Sequence, residues 1–324
     1  MAREKSRASG VNLASIDIGT HTARLLITQV VADSRLFRPV LRQRAYIRLA
    51  EDFAEEEIES IKPEAIDRAL KVLEDFASTA TRFNVRAIRA VSTGVVRKAS
   101  NKDRFVNLIY ERTGIRTTVI SGEEEARLTG RGVLHSLSIH GKPFIVFDLG
   151  GGTTEFLVGK EEQTWAKSIP LGAMVLTQKH LTSDPPEEKG IKSLEESIAK
   201  ILLEAFPRQT YPENDYLLVG TGGTVATLAA MIHRIETNEI GHDNIHGLVL
   251  RREGLEDLFA KMRSMTFEER LTLPGLDRGR ADVIVAGSMV VMGILRFFRY
   301  PEMLVSFSDM LEGILIEYLA ESST

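Results

Sequence analysis

Apolar positions change period several times along the chain. Between residues 11 and 50, the β-rich runs VNLASID, ARLLITQVV and FRPVLRQRAYIRLA are separated by polar turns, which predicts an antiparallel meander of three strands. KPEAIDRALKVLEDFASTATRF follows, with apolar residues at helical spacing and a Pro at an allowed first-turn position, so a helix is expected over 62–83. The strand VRAIRAVST, a helix near 101–113 and the short strand RTTVI continue a βββαβαβα order that closes near Gly122.

The pattern then restarts. PFIVFDLG, TTEFLVG and TWAKSIPL read as a second meander, helices follow between about 170 and 207, DYLLVG leads into TGGT, and helices dominate to about 298. EMLVSFSD and MLEGILIEYLAES add one more strand and helix. Trp165 and the Phe positions follow this periodicity and are expected in the core. The duplication predicts an α/β protein of two domains, 1–122 (completed by the C-terminal helix within about 305–324) and 123–304. Two similar halves facing one another imply a cleft, where ligands prefer to bind.

Composition narrows the class. Hydrophobic residues at 43% and charged residues at 27% are ordinary for a soluble folded protein of 324 residues. MAREKSRASG is polar and basic with no apolar core, so it reads as a frayed N-terminus, not a signal peptide. ADVIVAGSMVVMGILRFF, flanked by Arg280, Asp282 and Arg296, is too short and too charged at its ends for a membrane span and fits a buried helix. No membrane partner is expected. The absence of cysteine excludes disulfides, thiolate zinc sites and cysteine nucleophiles, and suits the cytoplasm. A net charge of -4 argues against a nucleic-acid partner, although a local basic pocket for a polyanion can hide in such an average.

The chemistry concentrates in glycine turns. FDLGGGTTEFLVG places Gly150, Gly151 and Gly152 between two buried strands, then Thr153. A hairpin needs one or two glycines; three strip side chains from a run of backbone N–H donors, so that a phosphate can approach them. SIDIGTHTARLL repeats the grammar with Gly19, Thr20, His21 and Thr22, and GTGGT supplies Gly222, Gly223 and Thr224 before a helix whose N-terminus favours an anion. Asp17 and Asp148 each end the strand before a turn. Either an Asp caps its own turn, or a divalent cation lies between carboxylate and phosphate, and the pair suggests Mg²⁺. His242 and His246 in GHDNIHG have no third ligand in view and do not make a zinc site.

DIGTHTARLL, DLGGGTTEFLV and GTGGT together resemble the phosphate loops of the acetate and sugar kinase, Hsp70 and actin superfamily. RAVSTGVVRKASN, VISGEEEARLTGRGV and RADVIVAG resemble, more narrowly, the exopolyphosphatase and guanosine pentaphosphate phosphohydrolase (Ppx/GppA) family. These motifs run in order over residues 13–313, nearly the whole chain. The resemblance implies two ribonuclease-H-like domains with a cleft site, Mg²⁺ dependence, and hydrolysis of the terminal phosphate of polyphosphate or of pppGpp (guanosine pentaphosphate), with ppGpp (guanosine tetraphosphate) left behind.

Such hydrolysis requires an oriented water, positive charge for the phosphate oxygens and a protonatable group near the nucleophile. By the resemblance, Glu125 is the general base, and Glu155 positions water or metal. Glu124 reads instead as the partner of Ser121 in a capping box. Arg24 and Arg97 align with the family's phosphate contacts, Ser92 and Thr93 form an anion-holding turn, and Arg280 is a further phosphate contact, with Arg278 beside it. Two positions depart from the family pattern. The first loop has Thr20, His21 and Thr22 where Ser-Asn-Ser is usual, and Leu311 stands where the family commonly has arginine.

Two other classes remain in view. A kinase or ATPase of the superfamily would use the same loops but lacks SGEEEAR, and a non-catalytic binder of a guanosine alarmone would have lost turnover through His21 and Leu311. The helical C-terminal half could furnish a homodimer interface, although no feature demands one.

Overall fold

The computed structural model describes residues 10–31, 36–49, 60–139, 141–160, 163–206 and 216–322. The expected frayed N-terminus falls on residues 1–9, outside the described residues. The chain divides into two compact units, one drawn from the described residues up to 49, 60–120 and those from Ile314 on, the other from Ser121–Gly313.

In the first unit, β1 (Val11–Ile18), β2 (Thr22–Val31) and β3 (Leu36–Tyr46) form the meander. Next come α1 (Pro63–Arg82), β4 (Ala87–Ser92), α2 (Val95–Lys98), α3 (Lys102–Thr113) and β5 (Thr117–Val119). The described strands form one sheet in the order β3-β2-β1-β4-β5, antiparallel through β1 and parallel beyond it. α1 starts with Pro at its first turn and buries Ile66, Leu70, Leu73 and Phe76, one stripe at helical spacing. Ile16, Ile18, Leu25, Ile27 and Phe105 are fully buried. The single-turn α2 was not expected; Gly94, at φ +54°, turns the chain into it.

The second unit opens with α4 (Gly122–Ser136), then β6 (Phe144–Leu149), β7 (Thr154–Lys160) and β8 (Gln163–Ile169). There follow α5 (Ala173–His180), α6 (Glu188–Ala205), β9 (Leu217–Thr221), α7 (Gly223–His233), α8 (His242–Ile245) and β10 (Val249–Arg251). The chain continues through α9 (Arg252–Met262), α10 (Phe267–Arg270), α11 (Ile284–Phe297), β11 (Glu302–Val305) and α12 (Met310–Glu321), whose residues from Ile314 on belong to the first unit. The strand order is β10-β11-β9-β6-β7-β8. β6 is buried along its whole length, as a central strand covered on both faces should be. Phe147 and Phe156 join Leu194, Ile198, Val291 and Leu295 on one face, while Val133 of α4 packs on Val146, Leu157 and Val219 on the other.

Two expectations change here. β10 interrupts the stretch in which helices are expected to dominate, because three residues are too few to display a period of two. Trp165, expected in the core, is 38% exposed: β8 is the edge strand, and the Trp165 ring leans on Phe206, with centroids 5.7 Å apart. Among the described residues, no helix is long and apolar enough to cross a membrane.

α4 and the start of α12 meet backbone to backbone. A Cβ added at Gly132 would strike the Asp309 carbonyl, and one at Gly313 would strike the Leu128 carbonyl, so neither neighbour can yield cheaply. Gly313→Ala is therefore expected to lower stability by about 1–3 kcal/mol through overpacking. Gly241→Ala, whose Cβ would have only the Glu239 carbonyl near it, at 3.8 Å, serves as the control and should lie within about 0.5 kcal/mol of wild type by denaturant unfolding.

His242 and His246 stack, with centroids 4.3 Å apart, and His246 Nδ1 accepts the Phe307 N–H at 3.2 Å. Burial and the neighbouring His242 lower the His246 pKa, against a backbone hydrogen bond at Ser136 that raises it. Burial, then Lys179, lowers that of His180. A lowered histidine pKa means that the unfolded chain binds more protons. Both contributions are thus present above the ordinary pKa of about 6.5 and are lost as pH falls below it. Melting temperatures measured from pH 7.5 to 5.5 should fall, and His246→Asn, whose amide oxygen can accept the Phe307 N–H without titrating, should flatten that dependence; an unchanged slope would remove His246 from the account.

Candidate active site

The two Asp-Gly turns share one backbone construction. Gly19 N–H donates to Thr22 O at 3.0 Å, and Gly150 N–H donates to Thr153 O at 3.0 Å. The carbonyls of each turn are engaged from outside. Thr20 O accepts Leu49 N–H at 2.8 Å, and His21 O accepts the N–H groups of Ile47 and Arg48, each at 3.0 Å. In the second unit, Gly150 O accepts Ala173 N–H at 3.0 Å, and Gly151 O accepts Met174 N–H at 2.9 Å and Val175 N–H at 3.2 Å. A trans peptide directs its N–H opposite its C=O. With the carbonyls turned toward those donors, the N–H groups of His21, Gly151 and Gly152 are directed to the other side. Gly172 fits against Gly151 and Gly152 so closely that a Cβ there would collide with them.

In the first unit, Asp17 and Arg24 are opposite one another across β1 and β2, and Arg24 Nε and Nη2 both donate to Asp17 Oδ2, at 2.9 and 2.6 Å. Thr20 Oγ1 accepts Val95 N–H at 3.1 Å and lies where a Cβ at position 94 would be, which makes Gly94 necessary. That bond leaves the Thr20 hydroxyl proton for another acceptor. The His21 ring is 5% exposed and packs on Tyr46, with centroids 5.2 Å apart. Ser92 Oγ donates to Ile18 O at 3.1 Å and Thr93 N–H to the same carbonyl at 3.1 Å, so this turn is stitched to the end of β1. Arg97 Nη1 donates to Ile120 O at 3.2 Å.

The second unit gathers more chemistry at one end of its sheet. Asp148 on β6 is opposite Glu155 on β7 and, on its other side, Thr221 at the end of β9. Both carboxylates are buried, Glu155 at 3% exposed, and Glu155 Oε1 accepts Ser168 Oγ–H at 2.6 Å. Gly222, at φ +97°, brings the third turn against Asp148: a Cβ there would lie 2.5 Å from Oδ1. Gly223 is covered by the Arg280 guanidinium, again where a side chain would collide. Arg280 is buried, whereas Arg278 reaches the surface and pairs with Glu268 at 3.6 Å. Thr224 is buried, its methyl against Gly287.

α4 delivers the remaining carboxylate. It lies on the face of β6 that carries Val146 and Asp148, since alternate residues share a face. On that face Val133 packs beside Val146 and Leu157, and Gly130 lies against the Leu157 side chain. Ser121 Oγ accepts Glu124 N–H at 3.1 Å, one half of the expected capping box. Glu123 and Glu124 are exposed and Glu125 is 8% exposed, so of the three Glu125 alone is turned inward.

Asp148 and Glu155 make a fitting donor pair for a hard divalent cation, because like charges directly opposite across two strands repel without one. Asp17 fits less well, its carboxylate being held by Arg24. Among the described residues, no three His, Cys, Asp or Glu cluster as a metal cage, which includes His242 and His246. Ser168 and Gly172 belong to none of the sequence motifs. Ser168 could have been found by pairing the second meander, where it is opposite Glu155. Leu311, fully buried, is part of the core.

Comparison with known proteins identifies the family. Exopolyphosphatase 2 of Mycobacterium tuberculosis is 32% identical over 316 residues, covering 94% of this chain and 97% of that protein. The crystal structure of an exopolyphosphatase from Cytophaga hutchinsonii superposes with a TM-score of 0.83 at 27% identity, covering 96% of this chain and 98% of that one. The Aquifex aeolicus Ppx/GppA family member gives a TM-score of 0.80 at 27% identity, over 98% of this chain and 100% of that one. The family model described as Ppx/GppA phosphatase family matches residues 26–322, and the chain belongs to that family.

Proposed function

We propose that this phosphatase releases terminal orthophosphate from inorganic polyphosphate in a Mg²⁺-dependent reaction, and that pppGpp, cleaved to ppGpp, is a second substrate of the same site. The observation that carries the reading is the convergence at one end of the second sheet. Two glycine turns, a buried arginine and two paired carboxylates meet there, and α4, packed on the face of β6 that carries Asp148, holds Glu125 buried. The substrate class also draws on the exopolyphosphatases of M. tuberculosis and C. hutchinsonii.

The N–H groups of Gly151 and Gly152 and the first turn of α7 bind phosphate oxygens, as backbone donors and a helix N-terminus do. Arg280 adds a planar cationic fork beside them. Mg²⁺, held by Asp148 and steadied by Glu155, would neutralise charge on the phosphate oxygens. Glu125 accepts the proton of the attacking water as its oxygen bonds to the terminal phosphorus and the bridging oxygen leaves with its electron pair. Ser168 holds Glu155 in one orientation. In the first unit, the His21 N–H and the Thr20 hydroxyl are the corresponding phosphate donors, and Asp17 orients Arg24. The phosphoanhydride is cleaved by water with no covalent intermediate on the protein.

Glu125→Gln keeps the shape and removes the base. Phosphate release from polyphosphate in Mg²⁺ should fall by about 10²–10⁴-fold in kcat with little change in KM. Wild-type turnover in this variant would dismiss Glu125 as the base, and tight polyphosphate binding without release by the wild-type protein would favour the non-catalytic binder.

Asp148→Asn should raise the Mg²⁺ concentration needed for half-maximal rate, and direct Mg²⁺ titration by calorimetry should show the same weakening. An Asp17→Asn variant, by contrast, should act mainly through polyphosphate KM. Equal Mg²⁺ dependence in wild type and Asp148→Asn would contradict the metal assignment.

A further inference from the structure

Arg270 is an unexpected charge in the second unit. It ends α10, its side chain is 5% exposed, and each of its guanidinium nitrogens has its own acceptor. Nε donates to Ala281 O at 3.1 Å, Nη1 to Met265 O at 2.8 Å and Nη2 to Asp184 Oδ1 at 2.9 Å. Asp184 is fixed in turn by Phe267 N–H, which donates to Oδ2 at 2.6 Å. A guanidinium withdrawn from water is tolerated only when its donors are met, so these acceptors hold Arg270 and Arg270 holds them.

One acceptor matters for the chemistry. Ala281 follows Arg280, whose guanidinium covers Gly223 at the start of α7. On the other side of Arg280, Asp277 Oδ1 accepts Gly279 N–H at 2.8 Å. The backbone of Arg280 is held on both sides: its N–H donates to Asp277 O at 2.9 Å, its carbonyl accepts Val283 N–H at 3.0 Å, and Arg270 Nε supplies the side-chain grip on the C-terminal side.

We infer that Arg270 is a positioning residue for phosphate binding: by holding the Ala281 carbonyl, it keeps the Arg280 guanidinium over Gly223 at the mouth of α7. The inference rests on the reading of Arg280 as a phosphate contact. Arg270 touches no substrate. Its effect passes through the direction of the Arg280 side chain, for which a displacement of about 1 Å is costly. Asp184 is the outer member of the clamp, 43% exposed at a pocket of about 240 Å³ that Thr177, Thr182 and Asp282 also line. A change there loosens Arg270 without opening the core.

The test is a double-mutant cycle on the full chain, reading KM and kcat for polyphosphate and, by calorimetry, the binding of inorganic phosphate. Arg280→Met and Arg270→Met should each raise KM by roughly 10- to 100-fold and weaken phosphate binding, with a smaller change in kcat. In the Arg280→Met background, Arg270→Met should add less than about twofold, because the contact it positions is already gone. Asp184→Asn should show the same coupling at smaller amplitude, and it carries the cycle if melting curves show that Arg270→Met does not fold. Wild-type KM in Arg280→Met would overturn the phosphate contact and the positioning role with it. An impaired Arg280→Met whose effect simply multiplies with that of Arg270→Met or Asp184→Asn would overturn the positioning role alone.

Discussion

Each Asp-Gly turn depends on where its carbonyls are spent. A peptide unit cannot direct its C=O and its N–H to the same side, so engaging the carbonyls of Gly150 and Gly151 with the first N–H groups of α5 fixes the direction of the donors that follow. The first unit reaches the same result with Thr20 and His21, whose carbonyls accept from the chain just beyond β3. Neighbouring glycines are consequences of this construction. Gly172 must be bare for α5 to approach Gly151 and Gly152, and Gly94 must be bare for Thr20 to reach Val95.

Charge is organised around these backbone donors unequally in the two units. In the first, the carboxylate that ends β1 is held by Arg24 directly across the ladder. In the second, Glu155 takes the position that Arg24 holds in the first, so two carboxylates are opposite one another and the cation comes from Arg280, far along the sequence. One architecture thus carries two electrostatic patterns, and only the second pairs carboxylates in a way that suits a hard metal ion. Membership of the Ppx/GppA phosphatase family gives the arrangement its chemical context.

Much of this was legible in the sequence because the signals are local. The period-two runs around Asp17 and Asp148, the helical stripe of α1 and the glycine clusters each announce themselves within about ten residues. Glu125 stands out from its neighbours in the sequence only by resemblance, and in the fold by burial: Ser121 caps through Glu124 N–H, and the rotation of α4 turns Glu125 inward. Other features were hidden. β10 is too short to show a period, and Trp165 has a strand period but lies on an edge strand, a fact about its neighbours.

By itself, then, the sequence determined the duplicated order of strands and helices, the glycine turns with their aspartates, and the family. These follow from side-chain period and backbone freedom, both written in consecutive residues. Only the tertiary structure decided that Arg24 spends its guanidinium on Asp17, that His21 packs on Tyr46, that Ser168 holds Glu155, and that Arg270 reaches the carbonyl next to Arg280. Each is a contact between strands or segments brought together by folding, and a hydrogen bond has no period along the chain from which it could be read.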